Sequence, residues 1–247
     1  MKKSVKRVGL VVGTVAVLFV LFAGTWIYRA MADMRAMVPA GTGAIVDGVY
    51  AVKDSYVNLY VVRGATGAVA FDSGSDPENV RKGLESLSIE PGDVAAVFLT
   101  HGDSDHTGGL PVFRSAAVYL PSEEEQMVDG RTARFVVFKN TLSREHRPLG
   151  DGQTVDIDGL KVTAVLTPGH TPGSTCYLVD GRYLFTGDTM SLRSGRADVF
   201  SRAINMDSAV QRVSLERLSR LEGIEYLFTA HHGYSGSART ALEAFRK

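Results

Sequence analysis

A nearly continuous apolar run, Val94–Leu99, stops abruptly at Thr100-His101-Gly102-Asp103-Ser104-Asp105-His106-Thr107-Gly108-Gly109. The run is too short for an ordinary helix and lacks polar alternation, so it reads as a strand covered on both faces. A strand buried twice needs a layer on each side, and that requirement limits the fold more than any other feature of the chain. The segment that follows places two imidazoles and two carboxylates within six residues, in a loop that Gly102 allows to bend tightly. Side chains of these types, converging at a strand end, suit zinc or another first-row ion such as manganese or iron. Taken alone, the segment also reads as a polar surface cluster.

Other strand ends repeat the pattern. Strands are expected at Val57–Val62, Ala68–Phe71, Ala116–Leu120, Thr154–Ile157, Lys161–Leu166, Thr175–Val179, Tyr183–Phe185 and Tyr226–Thr229. His170 lies in the Pro168-Gly-His-Thr-Pro-Gly173 turn after one of them, Asp188 follows Phe185-Thr186-Gly187, and His232 precedes Gly233 after the last. A lone histidine is weak evidence of a ligand, but four strand ends that agree are strong. Helices are expected at Pro77–Leu87, with Val80, Leu84 and Leu87 on one side, after a cap at Asp207, with Val210, Val213, Leu218 and Leu221 inward, and at Ala238–Phe245. Ser122-Glu-Glu-Glu125 has the form of a capping box and reads as a solvated helix start. Strands flanked by helices in both halves predict an α/β sandwich with its chemistry on the strand-end loops.

From about Ala44 to Lys247 the chain resembles the metallo-β-lactamase superfamily, whose hallmark H-x-H-x-D-H loop is followed by His, Asp and His. Here the hallmark reads H-x-D-x-D-H. Phe71-Asp72-Ser73-Gly74 resembles the family's first motif, Thr167-Pro-Gly-His-Thr-Pro-Gly-Ser174 the third, Phe185-Thr-Gly-Asp188 the fourth and His231-His232-Gly233 the fifth. The resemblance implies an αββα sandwich with two divalent ions at one edge, most readily zinc, with manganese or iron as alternatives. It implies that His101, Asp103 and His170 hold the first ion, that Asp105, His106 and His232 hold the second, and that Asp188 bridges them. Asp72 would support the metal loop from behind. His232, next to Gly233 as in the family pattern, is preferred to His231; His146 matches no motif.

Asp103 departs from the family pattern, which usually has histidine there. Two divalent ions, a bridging hydroxide and three carboxylates sum to zero charge, where histidine would leave +1. A neutral centre attracts anions less and acidifies water less, and the harder oxygen ligand widens the choice of metal. The implied activity is hydrolysis of a small ester, thioester, lactone or amide by a metal-bridging hydroxide, with Asp105 orienting it and accepting its proton. A β-lactamase proper commonly has another residue where Asp188 stands. Glyoxalase II-like enzymes carry an extra substrate domain, and with 14 residues after Gly233 such an enzyme is not the expected reading. A mononuclear iron oxygenase of the same fold and a non-catalytic metal-binding module remain as alternatives. No Ser-His-Asp or Cys-His arrangement competes, and the glycine-rich turns lack a Walker-type lysine.

Composition decides two further points. Of 27 basic and 27 acidic residues, six and one fall in the first 35, which leaves 21 against 26, a net of −5, for the remainder. Nucleic acid is therefore not an expected partner, since a phosphate backbone calls for a basic stripe. Cys176, the single cysteine, sits in an apolar strand and reads as a small buried hydrophobe. Val8–Tyr28 is 21 residues without a charge, preceded by Lys2, Lys3, Lys6 and Arg7 and followed by Arg29. That length spans the ~30 Å hydrocarbon core, and the basic excess predicts a cytoplasmic N-terminus with residues 44–247 outside, joined through a tether at 29–43. Cleavage after Ala32, in the small-x-small pattern Ala30-Met31-Ala32, is the alternative; the run exceeds the ~7–15 residues usual in a signal peptide.

Overall fold

The structure, a computed structural model, describes residues 2–134 and 139–246. Met1, Lys247 and residues 135–138 lie outside the described residues, all but the first within the expected domain 44–247. The chain divides into two units, Met1–Met37 and Val38–Lys247.

The first unit is one helix, α1 (Lys2–Arg35). The expected span Val8–Tyr28 lies inside it, but the helix does not stop there. Arg29 to Arg35 contains neither glycine nor proline, so nothing ends the hydrogen-bond ladder, and the expected tether 29–43 is helical through Arg35. Val12–Arg35 is long and apolar enough to cross a membrane. Its large apolar side chains face outward, Phe19 at 69% and Phe22 at 71% exposure.

The second unit begins with β1 (Gly43–Val46), β2 (Val49–Asp54), β3 (Val57–Arg63), β4 (Ala68–Phe71), α2 (Pro77–Ser86) and β5 (Val94–Phe98). It continues through α3 (Ser104–Thr107), β6 (Ala117–Pro121), α4 (Glu125–Val128) and β7 (Arg147–Leu149). These seven strands form one sheet in sequence order, antiparallel up to β4 and parallel from β4 to β7. The second half supplies β8 (Thr154–Ile157), β9 (Leu160–Leu166), β10 (Thr175–Val179) and β11 (Tyr183–Phe185). A hairpin of β12 (Ser191–Arg193) and β13 (Arg196–Asp198) follows, then α5 (Ser208–Leu218), β14 (Tyr226–Phe228), β15 (Tyr234–Ser235) and α6 (Ala238–Ala241). The second sheet has the order β15-β14-β11-β10-β9-β8, with β11 and β14 its parallel pair.

Side-chain alternation builds the layers. Along β3, Tyr60 and Val62 enter the cluster between the sheets, whereas Leu59 and Val61 enter the cluster on the other face with α2. Likewise Phe71 and Phe98 point between the sheets, and Ala70 and Val97 point away. In the second sheet Tyr177, Phe185 and Phe228 point inward while Cys176, Leu184 and Leu227 pack with Leu215, Leu218 and Ala241 of α5 and α6. A period of two with both faces apolar gives helix, sheet, sheet, helix. The interior is aromatic: Phe71 stacks on Phe185 at 4.0 Å, Phe98 on Tyr119 at 4.7 Å and Phe185 on Phe228 at 4.7 Å between ring centres. Each such ring stabilises the fold by ~1.5–3 kcal/mol relative to exposure.

The helices depart from expectation where they serve the loops. α2 forms as its sequence suggests, with Asp76 accepting from the Glu78 and Asn79 amides and Val80 and Leu84 buried. In α5, also capped by its expected residue Asp207, the inward face is Gln211, Ser214, Leu215 and Leu218; Val210 and Val213 are exposed. The polar pair faces inward because Gln211 donates to the Asp188 carbonyl and Ser214 to the Pro168 carbonyl. The acidic run Ser122–Glu125 is not a solvated capped start: it makes no side-chain cap, and Glu124 is fully buried.

Candidate metal centre

Six loops meet at one edge of the sandwich, between β2 and β3, after β4, after β5, between β9 and β10, after β11 and after β14. The Asp72 loop and the His101–His106 loop are bound closely to each other. The Ser73 amide and hydroxyl both donate to the His106 carbonyl, and the Gly109 amide donates to Gly74. A Cβ at Gly109 would stand 1.9 Å from the Ser73 carbonyl oxygen, so only glycine permits this approach.

Within this frame the structure brings together His101, Asp103, Asp105, His106, His170, Asp188 and His231. Three overlapping groups have ligand atoms within 4.8 Å of one another: His101, Asp103 and His170; His101, His106 and Asp188; Asp105, His106 and His231. Asp103 Oδ2 lies 3.4 Å from His101 Nε2 and 3.2 Å from His170 Nε2. Asp105 Oδ2 lies 3.8 Å from His106 Nε2 and 3.5 Å from His231 Nε2. Asp188 stands between, with Oδ1 3.5 Å from His106 Nε2 and 3.2 Å from His231 Nε2, and Oδ2 3.4 Å from His170 Nε2. His232, expected from the sequence, is not in the cluster. Its ring packs edge-on against Phe200 at 5.9 Å, and its amide donates to Thr229 Oγ1. The physical reason is the turn in which Thr229 bonds to the Gly233 carbonyl, while the Tyr56 carbonyl captures the ring of His231 and turns it inward.

Each of the four clustered imidazoles is anchored at Nδ1, which aims Nε2 into the cluster. His106 pairs with Asp72 at 2.8 Å, His101 with Thr100 Oγ1 at 3.0 Å, His170 with Asn205 Oδ1 at 3.1 Å and His231 with the Tyr56 carbonyl at 2.8 Å. Asp72, held at φ 60°, also accepts from the Thr100 amide and hydroxyl. Partners of this kind fix tautomer and direction in metal sites. Among the described residues, His101 Nε2, His106 Nε2 and Asp188 Oδ1 are buried without a hydrogen-bond partner. Buried polar atoms are rarely left so, and a cation among these nitrogens and carboxylates would complete them. The donor set fits a divalent ion.

The electrostatics are those of a concentrated ligand cluster. Burial works to raise the Asp188 carboxyl, but the surrounding His231, His106 and His170 hold it well below its usual range. Burial likewise opposes ionisation of Asp103, and His101 and His170 overcome it. Burial depresses the His106 imidazole, yet Asp72, Asp105 and Asp188 leave it well above its ordinary value. For His170, burial dominates and the net shift is downward.

Several participants carry no sequence signal that would separate them from their neighbours. Glu124 accepts from the Gly102 amide at 2.9 Å, the Thr171 hydroxyl at 2.6 Å and the Gly173 amide at 3.1 Å, which joins the His101 and His170 loops. Arg134 donates to Asp103 Oδ2 at 2.7 Å and Asn140 to Asp103 Oδ1 at 2.7 Å. Tyr56, 46% exposed, stacks on His231 at 5.7 Å. His146 bonds to Glu125 and to the Arg144 carbonyl, away from the cluster.

A family model described as the metallo-beta-lactamase superfamily matches residues 52–247. The chain belongs to that superfamily. Among solved structures, a metallo-beta-lactamase family protein of Thermus thermophilus superimposes with a TM-score of 0.65 at 24% identity, over 81% of this chain and 79% of the other. The Rm3 metallo-beta-lactamase superimposes with a TM-score of 0.66 at 20% identity, over 87% and 92%. These likenesses bear on the metallo-beta-lactamase fold alone. Among curated relatives, an atrochrysone carboxyl ACP thioesterase of Aspergillus novofumigatus is 34% identical over 58% of this chain and 40% of its own length. A probable polyketide biosynthesis zinc-dependent hydrolase of Bacillus velezensis is 29% identical over 64% and 66%. The chain thus spans between 40% and 66% of the length of these two relatives.

Proposed function

We propose that this protein is a metal-dependent hydrolase of a small ester, thioester, lactone or amide, with two metal subsites. The observation that carries the reading is the convergence of four anchored imidazole Nε2 atoms and three carboxylates at one edge of the sandwich. His101, Asp103 and His170 would form the first subsite and Asp105, His106 and His231 the second, with Asp188 shared. Ions held there, zinc in the first instance, would supply Lewis acidity that polarises a carbonyl and lowers the pKa of water. The rest of the chemistry belongs to the chain. Asp105, whose side chain keeps 18% of its surface exposed beside His231, would receive and release the proton through its carboxylate. Tyr56, 46% exposed and stacked on His231, would offer its open aromatic surface to the acyl or leaving group. The names of the curated relatives, a thioesterase and a zinc-dependent hydrolase, favour a thioester within this class.

The test is a panel of ester, thioester, lactone and amide substrates, offered to the full chain in detergent after reloading separately with zinc, manganese and iron. Turnover with at least one metal, abolished by Asp188→Ala, is expected. Absence of hydrolysis with all three would overturn the reading, and oxygen consumption by the iron form would replace it with an oxygenase. We further infer that α1 anchors the protein in a cell membrane as a single pass, with the N-terminus cytoplasmic and the hydrolase unit outside. The length and apolar surface of α1 and its basic leading residues support this.

A further inference from the structure

The two subsites differ in one respect that the family pattern does not announce. Arg134, only 8% exposed, sends Nη2 into the first subsite, 2.7 Å from Asp103 Oδ2 and 3.2 Å from His170 Nε2. Its Nη1 is tied back to the Ile204 carbonyl at 2.6 Å, so the guanidinium is held there from both sides. The remaining Asp103 oxygen is taken by Asn140 Nδ2 at 2.7 Å. Among the described residues no lysine or arginine bonds to Asp105, His106 or His231, the members of the second subsite.

A lone pair that accepts an N–H bond is not free to bind an ion at the same moment, and a guanidinium repels a divalent cation. Resting on the hydrolase reading above, we propose that Arg134 is a built-in cation that competes with the ion of the first subsite. The two subsites then load unequally: the second fills first, and the first fills only as Arg134 withdraws from Asp103 and His170. Breaking the charge-assisted bonds of a buried arginine separates the two affinities by about tenfold or more. While the first ion is absent, the same contact keeps Asp103 paired, so the loop that carries it does not hold an uncompensated carboxylate.

The test is calorimetric titration of the demetallated full chain in detergent with zinc, with bound metal checked by elemental analysis and coupling between ions read by electron paramagnetic resonance with manganese. The native protein should show one tight step and one at least tenfold weaker. Arg134→Met, which keeps bulk but removes charge and donors, should bring the steps within a few-fold of each other. Arg134→Lys should keep much of the separation. Should the methionine variant misfold, Asp103→Ala in the otherwise native chain gives an independent reading, deleting the weak step and sparing the tight one. Two equal steps in the native protein, a gap unchanged in Arg134→Met, or loss of the tight step in Asp103→Ala would overturn the proposal while leaving the hydrolase reading in place. No metal bound by any form would overturn both.

Discussion

At the scale of single residues, the adjacent pair His231 and His232 separates site from scaffold. Neighbouring histidines look alike in sequence, and the Thr229–Gly233 turn together with the capture of His231 Nδ1 by the Tyr56 carbonyl, 175 positions away, decides which one turns inward. His231→Ala should therefore cost about one equivalent of bound metal and about 100-fold or more in turnover, since a first ligand should matter at least as much as its supports. His232→Ala should keep both metals and near-native turnover. Elemental analysis and initial rates of the two variants check this, and a reversed pattern would move the assignment to His232. Cys176 is a residue whose sequence reading and structure agree. It is buried against the α5 layer, and burial pushes its thiol up to about 11. An unfolded cysteine ionises earlier, so this group favours the fold below its ordinary pKa, and the contribution fades as pH rises through about 11. Between pH 8 and 10 a thiol reagent should react with the unfolded chain but not the folded one; rapid labelling of the folded protein would contradict the burial.

At the scale of elements, the central strands and the two capped helices were legible because each rests on a local rule: apolar runs for β4, β5, β10 and β11, and Asp76 and Asp207 as caps for α2 and α5. What was not legible depends on distant partners. β1, β7, β12, β13 and β15 are short and lie at sheet edges or in a separate hairpin, so they carry little pattern of their own. The inward face of α5 is polar because it serves the loops at Pro168 and Asp188, which periodicity does not reveal. In the site, the cluster of His101, Asp103, Asp105, His106, His170 and Asp188 was legible by type and spacing, whereas the choice of His231 over His232 and the parts of Arg134, Asn205 and Glu124 were not. Glu124 joins two metal loops through three donors. Glu124→Ala leaves the Gly102 and Gly173 amides buried without that acceptor, while the Thr171 hydroxyl keeps Ser174 Oγ, and should cost on the order of 3 kcal/mol, with weaker metal retention. Thermal melting beside metal analysis tests it, and an unchanged melt would mean the loops hold without the clamp. Gly169 binds the His170 loop to α5: its φ is 138°, and a Cβ would lie 2.3 Å from that of Gln211. Gly169→Ala should cost about 1–3 kcal/mol and lower Tm by several degrees. A Tm equal to that of the native protein would show that α5 can shift to make room.

At the scale of the whole molecule, a long apolar helix precedes a unit whose sequence from residue 36 onward carries a net charge of −5. A reporter fused after Lys247 should be active only if it requires export. Activity of a cytoplasm-restricted reporter would place the second unit inside instead, and mass spectrometry of the mature N-terminus separates a retained anchor from cleavage after Ala32. The centre itself is assembled by contributions from both sheets, and this affects how fast the molecule can be charged with metal. Asp72, Thr100, Asn205 and Tyr56 already set the directions of the four imidazoles, so an arriving ion meets ligands in place and no refolding has to accompany its entry. Loading speed at the proposed second subsite should then be a property of the ion more than of the protein, governed by how readily it gives up its own water. Zinc and manganese should enter quickly, and magnesium, which dehydrates reluctantly, should lag behind them whatever its abundance.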